Sequence, residues 1–365
     1  MTKESKKVVI IGGSYAAFTA LKSLVKSSKV KLDITLIAAS KVSFFNAASP
    51  RLLVEPELID KTVFSIPESI KKLASGTIHT ITYYKGYVTK VDLDQQVVYV
   101  GETEFEYDNL VIASGARTKA GAFKLDNKRD ETYTIDAIKD LAANIKKAKS
   151  VAVIGGGSTG VETAAEVAYA YRDKSVVLYT GSSGPLSAFS SPRTTSGATS
   201  KLKGLGVKIV NDTRVGTEEN AVVLPDGTRK EYDLVIEAMG TTPNSEFLPS
   251  KVLNDAGFVE TDKHLRLKNY SNVIVAGDVV AEATGTIVNL KFDQEPVLAK
   301  TLQYEVCDDK SVKLKAYLKP TSITTFTPIG KEGGVGLMFG WTVPSFLVKV
   351  MKSKDFMISK GADNF

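Results

Sequence analysis

Residues Gly155-Gly156-Gly157-Ser158-Thr159-Gly160 follow an apolar run, Val151–Ile154, and precede a helical pattern from Val161 to Tyr171. Glycines at these places suit a chain that turns from strand to helix against a pyrophosphate. Gly155 permits the tight turn, Gly157 lets the backbone approach the phosphates, and Gly160 lets helix pack on strand. The helix N-terminus then offers unpaired N–H groups and a positive dipole end to phosphate oxygens. Three glycines alone would read as a flexible turn; the strand–glycine–helix order favours the phosphate reading.

An earlier run, Gly12-Gly13-Ser14-Tyr15-Ala16-Ala17, is a degenerate copy. Gly12 keeps the first glycine of the pattern, Gly13 stands at a variable place, Ser14 replaces the second glycine and Ala17 the third. Ser14 adds a Cβ where a pyrophosphate would pass, although its hydroxyl can donate to a phosphate oxygen, and Ala17 is an accepted packing variant. Val8–Ile11, a helix from Tyr15 to Val25 and Leu32–Ile37 make this a βαβ unit. Ser175–Tyr179 is the matching second strand of the later unit. A carboxylate about 20 residues past the glycines normally holds the ribose, but Ala38 and Thr180 stand there. Ser40 or Lys41 are candidate substitutes in the first unit. In the second, neutral Thr180 would not repel a 2′-phosphate, and Ser182, Ser183 and Arg193 are candidate donors to it. No basic residue sits immediately beside that place in the sequence, and use of NADPH as well as NADH is expected.

Other elements must position these loops. Gly86–Lys90 and Gln96–Val100 read as short antiparallel strands. Leu110–Ala113 is an apolar strand ending in Ser114-Gly115, and Val273–Ala276 ends in Gly277-Asp278. Gly181–Ser200, rich in Ser, Gly and Thr, reads as a long loop. Asp293 and Pro296 signal a helix start, with the helix running to about Val306; its N-terminal dipole would suit negative charge on a cofactor ring. A hairpin is expected around Gly330–Gly334, then a final helix after Pro344. That helix carries Phe346, Leu347, Val350 and Met351 on one face; covering the protein's own core or a dimer partner is the expectation, and a membrane surface the alternative.

Composition narrows the chemistry. A chain of 365 residues, 43% hydrophobic and 24% charged, is long enough for more than one soluble globular domain. Cys307 is the single cysteine, so an intrachain disulfide and a Cys-x-x-Cys redox pair are excluded. His79 and His264 stand apart from other ligand types, and no metal site is expected. The net charge of +6 would suit an anionic partner, but no nucleic-acid motif accompanies it, and solvated lysine faces are the simpler reading. No apolar run approaches the roughly 20 residues of a membrane span. Thr2 stands where myristoylation needs glycine, and the Lys-rich start lacks a signal-peptide pattern. The expected placement is cytoplasmic, with membrane-associated and mitochondrial placements left open.

The order Gly12–Ala17, Ala113-Ser114-Gly115, Gly155–Gly160 with Glu162, Gly240 with Pro243-Asn244, and Gly277-Asp278 covers most of the chain. It resembles the flavoproteins with two dinucleotide-binding domains: glutathione-reductase-like enzymes, type II NADH dehydrogenases and the apoptosis-inducing-factor family. The resemblance implies that the first motif and Gly277-Asp278 hold FAD, with Asp278 accepting from the ribityl chain. Glu162 resembles a glutamate lying near the nicotinamide and flavin rings, which makes it the candidate catalytic residue. The missing cysteine pair argues against the disulfide-reductase branch. Gly334-Val335-Gly336 and Lys352-Ser353-Lys354-Asp355-Phe356 resemble the tail of the apoptosis-inducing-factor-homologous, ferroptosis-suppressor type of NAD(P)H:quinone reductase.

The expected fold is α/β, with two Rossmann-type domains, the second inserted in the first, and a small α+β C-terminal region. The boundaries are 1–118 and 246–309 for FAD, 119–245 for NAD(P)H and 310–365 for an acceptor-side, dimer or membrane-surface region. The expected reaction passes hydride from NADPH or NADH to flavin and electrons on to a quinone-like acceptor. A respiratory type II NADH dehydrogenase and a redox-gated cell-death effector are the alternatives.

Overall fold

The structure is a computed structural model, and it describes residues 5–126, 128–189, 191–320 and 324–365. Thr2 and its myristoylation reading lie outside the described residues. Val8 to Ile11 are all buried, as a strand covered on both faces requires. They lie at the centre of a six-stranded sheet ordered Arg266–Leu267, Tyr270–Val275, Asn109–Ile112, Lys6–Ile11, Leu32–Ala38 and Thr80–Lys85. Its pairings are parallel except at the short Arg266–Leu267 edge. A second, all-parallel sheet runs Lys208–Val210, Ser175–Tyr179, Ser150–Ile154 and Leu234–Glu237.

The first sheet takes strands from both sides of the second in sequence, so one Rossmann-type domain is inserted in the other. The chain crosses between them at Ala116–Arg117 and returns at Thr242–Pro243, and these two segments pair with each other, antiparallel. Side chains lock the crossing: Ser114 Oγ donates to Asn244 O at 2.6 Å, and Asn244 Nδ2 donates to Ser114 O at 2.9 Å. The C-terminal region is an α+β piece. Its hairpin, Thr325–Pro328 with Gly334–Met338, turns around Gly330–Gly334 as expected and adds Trp341–Val343 as a third strand.

Four local expectations change. The expected antiparallel pair is present, but its first strand is Lys90–Asp92, paired with Val97–Val100; Gly86 to Thr89 is irregular, and Thr80–Lys85 before it adds to the edge of the large sheet beside Leu32–Ala38. Part of the expected loop Gly181–Ser200 is helical, Pro192–Gly204. Ser191 caps that helix by accepting from the Thr194 N–H, and Pro192 takes the first turn. The helix expected from Asp293 starts about two turns earlier, at Ile287, preceded by Thr286, whose Oγ1 accepts from the Asn289 N–H. It passes through a π-helical stretch, Asn289–Gln294, before Glu295–Glu305. The last helix runs Ser345–Val348 and continues through Lys349–Ser353. Phe346, Leu347, Val350 and Met351 do share a face, but within this chain that face is exposed and covers no core.

The candidate dinucleotide and acceptor site

The ends of both sheets open onto one cavity of about 500 Å³. Gly12, Gly13 and Ser14 form its floor, with Ser114 and Gly115 beside them, Gly277 and Asp278 facing them, and Glu162 and Gly240 contributed by the inserted domain. Ala17, Gly155, Gly157, Gly160 and Thr180 stand back from it. Ala17 is fully buried under the first helix, where it packs. The second glycine loop reaches the cavity edge through Ser158 and Thr159.

Local geometry explains these sequence choices. At Gly12 the backbone has φ of +126°, and a Cβ would stand 2.2 Å from Ala113 O, so the crossover accepts no side chain. Gly160 lies so close to the turn it follows that a Cβ would sit 2.0 Å from Gly155 O. Gly157, by contrast, has open space where its Cβ would be and caps the helix Ser158–Ala170. Space left empty beside helix N–H groups fits a bound pyrophosphate. Ser14 caps the helix Tyr15–Ser27 without a side-chain capping bond, so its hydroxyl stays available to a phosphate. The Tyr15 hydroxyl, also at the cavity, is buried without a hydrogen-bond partner among the described residues. These features fit FAD.

The Gly277-Asp278 turn is held from behind. Gln294 Oε1 accepts from the Gly277 N–H at 2.7 Å, and Gln294 Nε2 donates to Asn289 Oδ1 at 3.0 Å. The π-helical stretch brings both amides to the turn. The Asp278 carboxylate accepts a hydrogen bond from Lys124, a cavity residue that no sequence motif marked. Residues Gly285 to Val288, at the start of the same helix, line the cavity, so that N-terminus does face the cofactor space.

Glu162 is buried on the first turns of the inserted domain's helix, and Lys352 of the C-terminal helix donates to its Oε1 at 2.6 Å. Burial pushes this carboxyl up to about 7; the Lys352 ammonium opposes the rise and Glu166 adds to it. One turn on, Glu166 accepts from Arg51 Nε at 2.5 Å and Nη2 at 3.3 Å, and Arg51 Nη2 also donates to Ser353 O at 3.0 Å. Burial likewise raises the Glu166 carboxyl, against the pull of Arg51. Two buried carboxylates on one helix face are therefore each met by a cation from another part of the chain. Beyond Ser353, Phe356 and Met357 both adopt left-handed backbone (φ of 52° and 60°) and reverse the tail. Its last residue, Phe365, then packs on Tyr15, Phe18 and Phe64.

Thr180 ends its strand fully buried, its Oγ1 lying 2.7 Å from Ser182 O and 3.1 Å from Asn211 Oδ1. The next residue, Gly181, has Arg214 laid across it, which the sequence spacing did not show. Cys307 is a buried free thiol, with burial raising its pKa. Among the described residues no three metal-ligating side chains gather, and no helix is long and apolar enough to cross a membrane.

A flavin-sized cavity joining two Rossmann loops defines a two-dinucleotide flavoprotein. The chain belongs to the pyridine nucleotide-disulphide oxidoreductase family, whose model matches residues 6–301, and it is an FAD-dependent oxidoreductase with NAD(P)H as donor. It is 31% identical to oxidoreductase ptaL of Pestalotiopsis fici, with 96% of each chain covered. It is 26% identical to ferroptosis suppressor protein 1 of Homo sapiens, covering 96% of this chain and 94% of that one. Among solved structures it resembles the sulfide:quinone oxidoreductase of Aquifex aeolicus, with a TM-score of 0.77, 15% identity, and coverage of 99% of this chain and 92% of that one. This last likeness concerns the fold.

Proposed function

We propose that the protein is an NAD(P)H:quinone-type oxidoreductase, in which the acceptor meets the cofactor on the C-terminal side of the cavity. The observation that carries this reading is the composition of that wall. Thr324, Thr325 and Phe326 of the C-terminal hairpin and Met357 of the tail line it, close to Glu162 and Lys352. No cysteine other than Cys307 exists to form a redox disulfide. Support also comes from the relatives named as ferroptosis suppressor protein 1, and from a quinone-using enzyme with the same fold.

FAD held in this cavity would supply the two-electron redox chemistry between a nicotinamide donor and the acceptor. The protein's residues do the rest. Ser158 and Thr159, at the N-terminus of the inserted domain's helix, orient the dinucleotide toward the cavity. Glu162, held near half-ionisation at neutral pH, can take or give a proton at the cavity wall, and Lys352 keeps its carboxylate oriented. Lys124 and Gln294 fix the Gly277-Asp278 turn against which the flavin chain would lie.

The test is a pair of anaerobic half-reactions. Mixing the FAD-loaded protein with NADH or NADPH should bleach the flavin, and a short-chain ubiquinone analogue should restore its colour rapidly while glutathione disulfide does so poorly. Efficient disulfide reduction would overturn the acceptor assignment.

A further inference from the structure

Arg214 occupies a place where nothing in the protein's own architecture requires an arginine. It follows the strand Lys208–Val210, outermost in the inserted sheet, and its loop is bound to the end of the neighbouring strand Ser175–Tyr179. The Thr213 N–H donates to Thr180 O at 3.0 Å, and the Asp212 N–H to Ser182 O at 2.9 Å. These bonds fix Arg214 against Gly181. A Cβ built on Gly181 would stand 3.1 Å from Arg214 Cγ and 4.0 Å from Nε. Arg214 is exposed, and among the described residues it makes no hydrogen bond or ion pair.

In a Rossmann unit the pyrophosphate sits on the glycine loop and the adenosine ribose reaches the end of the second strand. A carboxylate there binds the ribose hydroxyls, whereas an arginine accommodates a 2′-phosphate. Here the strand end holds no carboxylate. Thr180 is buried with its hydroxyl committed to Ser182 and Asn211, Gly181 presents no side chain, and Ser182 and Ser183 are exposed. A guanidinium therefore flanks the ribose place, with the exposed Ser183 beside it and the Ser182 hydroxyl held by Ser187 Oγ at 2.8 Å and Gly184 O at 3.5 Å, bonds it would exchange for a phosphate oxygen. A planar fork of N–H donors suits phosphate oxygens, and a charge-assisted pair of this kind is stronger than a neutral hydrogen bond.

We propose that Arg214, with Ser182 and Ser183, reads the 2′-phosphate of the donor dinucleotide and makes NADPH the better bound reductant. The inference rests on the assignment of the Gly155–Gly160 loop as the nicotinamide dinucleotide site. Gly181, whose missing Cβ makes room for the arginine, belongs to the same device. An aspartate there would set a carboxylate against Arg214, neutralise it and repel the phosphate; the Arg214 stem has to shift by only a few tenths of an ångström.

The experiment uses the FAD-loaded protein and two readouts. Calorimetric titration with adenosine 2′,5′-bisphosphate and with 5′-AMP reads recognition of the phosphate without turnover, and stopped-flow flavin reduction reads apparent affinity for NADPH and NADH. Arg214→Gln should weaken the bisphosphate and NADPH by roughly tenfold or more while 5′-AMP and NADH stay within about twofold, because one charge-assisted contact is lost. The limiting rate of flavin reduction should not change, Arg214→Lys should recover part of the affinity, and Gly181→Asp should favour NADH. Equal behaviour of the two adenosine probes in wild type, or equal loss for both dinucleotides in Arg214→Gln, overturns the proposal. If instead Gly157→Val leaves binding of both probes and both dinucleotides intact, the loop assignment beneath it fails, and the proposal with it.

Discussion

Lys352 Nζ lies 2.6 Å from Glu162 Oε1, joining two residues 190 apart in sequence at the wall of the cofactor cavity. The carboxyl is buried, and its pKa is raised from 4.5 to about 7. Folded protein therefore holds this proton more tightly than unfolded chain. Glu162 costs no stability below pH 4.5, and its contribution becomes progressively unfavourable up to about pH 7, then levels off. Lys352→Met removes the cation that favours ionisation and should move the upper limit of this window higher. Glu162→Gln should abolish the window. Reoxidation of reduced enzyme by a quinone analogue, followed against pH, should show an inflection near 7 that moves upward in Lys352→Met and vanishes in Glu162→Gln. A profile unaltered by both variants would remove Glu162 from proton handling.

Arg51 and Glu166 make a pair buried on both sides, and Arg51 also holds the Ser353 carbonyl. Arg51→Met strands the Glu166 carboxylate and should cost about 3–5 kcal/mol of stability, as the loss of one partner of a buried pair typically does. Replacing both, Arg51→Met with Glu166→Met, should cost less than the single change. Urea unfolding of the four proteins in the cycle measures this. Additive losses would show that the two charges are not coupled.

Gly157 has open space beside its Cα, unlike Gly155 and Gly160, so Gly157→Val should leave the fold and the bound FAD in place. The valine would fill the space where the dinucleotide's backbone contact forms. Flavin absorbance should be retained, and flavin reduction by NADPH and NADH should both collapse. Reduction at the wild-type rate would give the loop to another ligand.

The two βαβ starts were legible because they are local: a buried run, a glycine turn and a helical period lie within about 30 residues of sequence. Gly277-Asp278 was legible by its resemblance to known flavoproteins. Lys124, Arg51 and Arg214 were not, since each acts on a partner far along the chain and no spacing rule links them. The helix Pro192–Gly204 was hidden by its Ser, Thr and Gly content, which local propensity reads as loop; packing of Ala198 and Leu202 into the core overrides it. The face of the last helix was legible as apolar. Periodicity could not tell whether anything covers it.

Phe346, Val350 and Met351 of the last helix and Phe339 and Trp341 of the preceding hairpin are all exposed, Trp341 at 80%. The hairpin reaches the cavity: the Phe339 N–H donates to Thr324 Oγ1, and Thr324 lines the wall where the acceptor is proposed to enter. We propose that this face lies on a lipid surface, its apolar side chains entering the interface and nearby lysines drawn to anionic headgroups. A quinone with a long isoprenoid tail would then approach from the bilayer. Trp341→Ser with Phe346→Ser alters exposed side chains only and should change stability by no more than about 0.5 kcal/mol each. The double variant should sediment less with anionic phospholipid vesicles and reoxidise more slowly with a long-tail quinone held in them. Reduction by NAD(P)H and reoxidation by a short-chain quinone in solution should stay at wild-type rates. If vesicle binding is absent in wild type and the double variant instead dissociates a dimer in analytical ultracentrifugation, the face belongs to a second copy of this chain and the acceptor arrives from water.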